Sequence, residues 1–212
     1  MLPYLFLITL VSFCSVLDYV KLNTKSRKIL LVLLIGLLIM FCGTRFETGN
    51  DWTAYVDTFN RIPPFESLCN NPEMFVVSRM EPGYVILNSI VKSLGGTIDI
   101  VFLISCIITV GLLFIALNRY SFFCFLAILL YMRYGYLQAN MMFVRQGIAV
   151  SIFFISLKYV EERKFWQYIA INIIAILFHS SLYIVLPLYF FLNRRYSCLL
   201  YTSDAADDRI SV

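Results

Sequence analysis

Apolar runs of membrane-crossing length, separated by short charged links, organise the chain. Residues 1–20 are apolar up to Asp18. They carry no basic leader and no small-residue cleavage site, so they read as a first transmembrane helix rather than a signal peptide. Residues 29–43, 98–117, 121–137 and 141–159 read as further spans. The stretch 166–192 has two readings. One is a single long tilted span. The other is a pair of short helices, 165–178 and 181–192, hinged at His179-Ser180-Ser181. The hinge is preferred, because it returns Arg194 and Arg195 to the side that holds the other basic links.

The links set the orientation. Lys21-Leu-Asn-Thr-Lys-Ser-Arg-Lys28 carries four positive charges and no negative one, which places it in the cytoplasm. Glu161-Glu162-Arg163-Lys164 falls on the same side, next to Lys158. The loop over about 44–97 is acidic in balance and therefore external. Within it, residues 52–60 predict an amphipathic helix with Tyr55, Val56 and Phe59 on one side, broken by Pro63-Pro64. Glu81-Pro82-Gly83 predicts a helix start and Gly95-Gly96 its stop. That helix is too short to span and is expected at the outer interface. The pattern predicts an all-α, polytopic membrane protein with about six or seven membrane helices plus this interfacial one.

Composition agrees. Of 212 residues, 60% are hydrophobic and 14% charged. Soluble domains hold about 45–50% and about 25%, so a soluble core of this size is excluded. The six cysteines form no CxxC pair and sit mostly in apolar runs, which argues against a disulfide framework; with a single histidine they also argue against a zinc site. Residues 198–212, beginning Cys198-Leu-Leu-Tyr-Thr-Ser-Asp-Ala-Ala-Asp-Asp208, resemble an in-frame translation of a sequencing adaptor. They are expected not to be native, which makes 1–197 the N-terminal part of a longer membrane domain.

On this topology the polar residues gather at the outer side. Arg45 ends the second span, Arg133 lies in the outer half of the fourth, Arg145 one turn into the fifth, and His179 at the hinge. Glu47, Asp51 and Glu81 lie in the outer loop. Ionisable groups at membrane depth are costly and face a bundle interior or a wet cavity. Arginines that outnumber deep acids suggest an anion, and guanidinium matches phosphate oxygens. Each residue also has a plain structural reading. Arg45 snorkels to headgroups, Arg145 is an ordinary interfacial arginine, Arg133 stacks on Tyr131, Tyr134 or Tyr136, Asp51 caps the helix after it, and Glu81 starts a helix.

Four motifs in order resemble the EpsG family of bacterial polysaccharide polymerases, relatives of the Wzy O-antigen polymerases: Gly43-Thr-Arg45-Phe-Glu-Thr-Gly49-Asn-Asp51-Trp-Thr-Ala-Tyr55, Glu81-Pro82-Gly83-Tyr84, Arg145-Gln146-Gly147-Ile-Ala149 and Leu177-Phe178-His179-Ser-Ser181. The resemblance implies a GT-C-like helical membrane glycosyltransferase with its site facing away from the cytoplasm. The implied substrates are undecaprenyl-diphosphate-linked oligosaccharides, joined into exopolysaccharide, capsule or O-antigen in the bilayer of the bacterial inner membrane. It implies no nucleotide sugar, no metal, no other cofactor and no nucleic acid, with a chain-length regulator as partner by analogy. Arg45, Asp51, Glu81, Arg145 and His179 fall on motif positions, and Arg133 lies outside them. Arg45 and Arg145 are then expected to clamp the diphosphate, with Arg133 a third candidate. His179, Glu81 and Asp51 are candidate bases, His179 first, since imidazole exchanges protons near neutral pH. Trp52, Tyr55 and Tyr84 are candidates for stacking on sugar. A flippase for an anionic lipid-linked glycan uses the same arginines but needs polar groups in both membrane halves, and the inner halves here are apolar. A non-catalytic assembly subunit is the third reading; it tolerates substitution at the Arg and His positions.

Overall fold

The computed structural model describes residues 2–20, 22–71, 73–78 and 80–192. Arg194, Arg195 and the stretch 198–212 lie outside the described residues. In chain order come α1 (Leu2–Ser15), α2 (Thr24–Gly43), α3 (Trp52–Arg61), α4 (Phe65–Asn70), α5 (Glu73–Val77), α6 (Pro82–Ser93), α7 (Ile98–Tyr120), α8 (Cys124–Tyr131), α9 (Val144–Glu161), α10 (Phe165–Phe178) and α11 (Leu188–Leu192). No strand occurs among the described residues. Helices α2 and α7 are long and apolar enough to cross a membrane, and α1, α8 and α10 are shorter apolar helices. Helix α7 packs between α2 and α9, and α9 packs against α10. Leu33, Ile115 and Ile184 point outward, giving the bundle an apolar outer surface.

Buried polar groups fix the ends of the bundle. At the end carrying the basic links, α1 closes in a 3₁₀ turn, Val16–Asp18. The Asp18 side chain is fully buried there. It accepts the Leu126 N–H at 2.9 Å, so it satisfies an orphan donor in the first turn of α8 from a different helix. Arg27 pairs with it at 3.1 Å and donates to the Phe122 carbonyl at 2.7 Å. At the opposite end, Lys92 of α6 donates to the carbonyls of Phe59, Asn60 and Ile62 at 2.8, 3.0 and 2.7 Å. These include the last carbonyls of α3, which a cation suits by hydrogen bonding and by the helix dipole. Ser89 adds a bond to the Pro63 carbonyl at 2.7 Å. Helix α6 is therefore clamped onto the loop it follows, with Tyr84, Val85 and Val91 buried and Ile90 and Leu94 exposed.

Two regions depart from the sequence pattern. The fourth apolar run does not stop at residue 137. Helix α8 continues through two widened π-helical stretches, Met132–Tyr136 and Gln138–Met142. Asn140 sustains this continuation. Its amide nitrogen donates to the Tyr136 carbonyl at 2.8 Å and to the Tyr131 hydroxyl at 3.0 Å, so the donors of a side chain that reads as loop are paired inside the bundle. The chain after α10 breaks at His179, which is extended (φ −156°, ψ 124°), and then forms a 3₁₀ helix, Ser180–Val185, before α11. Tyr189 packs on Phe165, 5.1 Å between ring centroids, and Tyr168 donates to the Val185 carbonyl at 2.5 Å. Residues after the break thus return along α10 to its first turn. This is the hinged pair, not one long span, and its second arm is a 3₁₀ helix plus a short α-helix.

Candidate functional site

Glu81 stands at the N-cap of α6, yet its side chain caps nothing. Its carboxylate points across to two other helices. Oε2 accepts from Nη1 of Arg145, in the first turn of α9. Oε1 accepts the Ser180 N–H at 3.4 Å and lies 3.4 Å from Nδ1 of His179, at the end of α10. The side chains of Arg145, Glu81 and His179 are 26%, 17% and 28% exposed, so the cluster is part-buried but reachable. His179 Nδ1 also accepts the Ser181 N–H at 3.3 Å. A neutral ring serves Ser181 as acceptor, whereas a protonated ring donates to Glu81. The imidazole therefore has a partner in either proton state.

Tyr55 buttresses Arg145 from the other side. It is 4% exposed, with its ring edge-on to Tyr84 at 5.6 Å and to Phe102 at 6.0 Å. Its hydroxyl donates to the Met142 carbonyl at 3.2 Å and lies beside the Arg145 guanidinium. Burial pushes this hydroxyl up from its ordinary pKa while Arg145 pulls it down; the net rise keeps the proton needed for the Met142 bond. Asp51 is half-buried at the head of α3, makes no side-chain cap bond, and adds a negative charge near Tyr55.

The remaining arginines lie elsewhere. Arg45 is 4% exposed, so it does not snorkel. Its guanidinium sits 4.0 Å over the Phe102 ring and donates to the Asn140 carbonyl, while Nε and Nη2 have no partner among the described residues. Tyr84 is buried within the electrostatic reach of both Arg45 and Arg145. Arg45 thus contacts the widened turns behind the cluster, not the cluster itself. Arg133 is exposed and lies 5.5 Å over Tyr134, which matches its plain stacking reading. The structure brings together Glu81, Arg145 and His179, sets Asp51 nearby, and leaves Arg133 apart. Burial of Tyr55 and Tyr84 removes both rings from contact with a sugar; Trp52 is half-buried, with Phe46 edge-on at 6.0 Å.

Sequence reasoning misses what holds Arg145. Arg45 and Tyr55 each bond a carbonyl, of Asn140 and Met142, in the last widened turn before α9. The only sequence signal is that both lie within the first motif. Gly49 of that motif has φ +105°, and a Cβ there would sit 2.4 Å from the Met141 carbonyl oxygen, so the loop touches the same turn. Beside Gln146, the residue after Arg145, a cavity of about 550 Å³ lies between α7, α8 and α9, walled by Leu113, Leu130, Val150 and Phe154.

No curated protein and no solved structure matches the chain. The family model of the EpsG family matches residues 28–203, a span that takes in Arg45, Asp51, Glu81, Arg145 and His179. The chain belongs to the EpsG family.

Proposed function

We propose that the Glu81–Arg145–His179 cluster is the glycosyl-transfer site of a membrane polysaccharide polymerase. Family membership supports a role in polysaccharide biosynthesis. The observation that carries the site is the convergence of two side chains, from α9 and the α10 break, on the one reachable carboxylate at the head of α6. The cluster lies at the end of α9 opposite Lys158, and the positive-inside rule puts the Lys158 end in the cytoplasm. The reaction then proceeds on the outer face of the inner membrane.

The substrate is an oligosaccharide repeat unit linked to undecaprenyl diphosphate. A hydroxyl of the incoming unit's terminal sugar attacks the anomeric carbon of the growing glycan. The bond from that carbon to the phosphate oxygen breaks, and the lipid diphosphate leaves with the electron pair. Arg145 stabilises that developing charge, as a preorganised donor in a partly dry site does. His179 takes the hydroxyl proton on Nδ1, giving up the bond from the Ser181 N–H, and Glu81 steadies the charged ring. Arg45 and Tyr55 hold the turn that presents Arg145. The apolar cavity beside Gln146 suits the lipid part of such a substrate.

The test is a polymer ladder from lipid-linked repeat units in proteoliposomes holding the intact protein. His179→Gln is expected to lower the rate of ladder growth about 10²-fold, the usual share of one general base. An unchanged rate removes His179 from the reaction.

A further inference from the structure

At the end of the bundle far from the cluster, a second cavity of about 310 Å³ lies between α7 and α9. It is lined on its apolar side by Ala116, Phe154 and Ile155, with Ile115 at the outward-facing edge. Its mouth carries Arg119 and Lys158, flanked by Tyr120 and Tyr159. Of these residues only Phe154, which also walls the cavity beside Gln146, enters the polymerase reading.

Both rim cations are paired, but only with acids at the surface. Arg119 gives Nη2 to Glu161 at 3.0 Å across an exposed pair. Lys158 stands 3.7 Å from Glu162, an ion pair looser than a hydrogen bond, and Glu162 holds Lys164 more closely at 2.8 Å. Such exposed pairs contribute little and exchange readily for a better anion. Arg119, Lys158 and Lys164 share the two carboxylates of Glu161 and Glu162, an excess of positive charge. A bulky aromatic on each helix beside the cations is the pattern of a membrane–water interface. Apolar walls beneath a cationic rim match one class of molecule, an amphiphile with an acyl chain and a phosphate head. A free phosphate would leave the apolar walls unfilled.

We infer that this α7–α9 cavity binds an anionic phospholipid, its phosphate at Arg119 and Lys158 and its acyl chain against Ile115, Ala116 and Phe154. Basic pockets between membrane helices on the cytoplasmic side take anionic headgroups, with about 1 kcal/mol from each cation near the surface. Helix α9 carries Lys158 in its last turn and Arg145 in its first, so the lipid braces the helix that presents Arg145.

The test uses the full chain in detergent micelles, titrated with phosphatidylglycerol, with phosphatidylcholine of the same acyl chains, and with inorganic phosphate. Retained lipid is read by native mass spectrometry. The expected result is retention of phosphatidylglycerol over phosphatidylcholine, undisturbed by millimolar phosphate. Arg119→Gln with Lys158→Gln should weaken that retention about thirtyfold, and either change alone about fivefold. Arg119 is exposed and Lys158 half-buried, and both substitutions keep a polar side chain, so the variants are expected to fold, which their unfolding midpoints check. Equal retention of the two lipids, full displacement by inorganic phosphate, or an unchanged double variant each overturns the proposal. None of these outcomes touches the polymerase reading, which stands or falls on ladder growth.

Discussion

Arg145→Ala is expected to lower polymer formation by about 10²–10³-fold, the cost of removing one donor aimed at charge that develops in the transition state. The reason is positional. Among the described residues Arg145 is the arginine that touches the reachable carboxylate, and its Nε has no partner there. Arg45 is buried under Phe102, and Arg133 stacks outside the site on Tyr134. Arg145→Lys should recover part of the loss. A lysine keeps the charge but lacks the planar fork that grips two phosphate oxygens at once. The check is ladder growth in proteoliposomes at matched protein levels. A full-rate alanine variant would remove Arg145 from the chemistry.

The second large effect comes from a residue with no functional group. A Cβ on Gly83 would lie 2.8 Å from the carbonyl oxygen of Leu177 and 3.0 Å from its carbon. Both are backbone atoms, so no side chain can turn away to make room. Gly83 is two residues after Glu81, and Leu177 is two residues before His179. Gly83→Ala therefore pushes α6 from α10 at the point where carboxylate and imidazole meet. Overpacking of this kind costs about 1–3 kcal/mol of stability. A misplacement of about 1 Å at the reacting groups costs about 10²-fold in rate. Both are expected, as a lower unfolding midpoint and a slower ladder. Gly36→Ala is the matched control, because a Cβ there meets nothing within 4 Å. Equal rates for the Gly83 and Gly36 variants would contradict the close-packing argument.

Much of the fold is legible in the apolar runs, because α2, α7 and α9 are long helices whose ends fall at charged links. The hinge at His179 is legible as well. A polar His-Ser-Ser set within an apolar stretch is costly mid-membrane unless the helix breaks there. The widened continuation of α8 is not legible. Gln138-Ala-Asn140 reads as a turn, and only the tertiary partners of Asn140 show that the helix goes on. The helices α4 and α5 are likewise missed, being too short for any periodicity to register. At the site, the order of motifs names Glu81, Arg145 and His179, but not which of their neighbours touch them. Arg45 and Arg145 look equivalent in sequence, since each ends a span on the same side. Burial separates them: one guanidinium is turned inward onto a ring, the other is left at a reachable edge. Tyr55 reads as a sugar platform because it is aromatic and external, and its burial against Tyr84 makes it a support instead.

The central claim is that Arg145, held in place by Glu81, is the seat of a lipid diphosphate. The most direct measurement is binding, free of the need for turnover. The purified chain in nanodiscs is titrated with polyprenyl diphosphate and with polyprenyl monophosphate of the same length. The account predicts tighter binding of the diphosphate, and a loss of about tenfold or more in that preference for Arg145→Ala, the worth of one charge-assisted hydrogen bond. Unchanged diphosphate affinity in Arg145→Ala would contradict it.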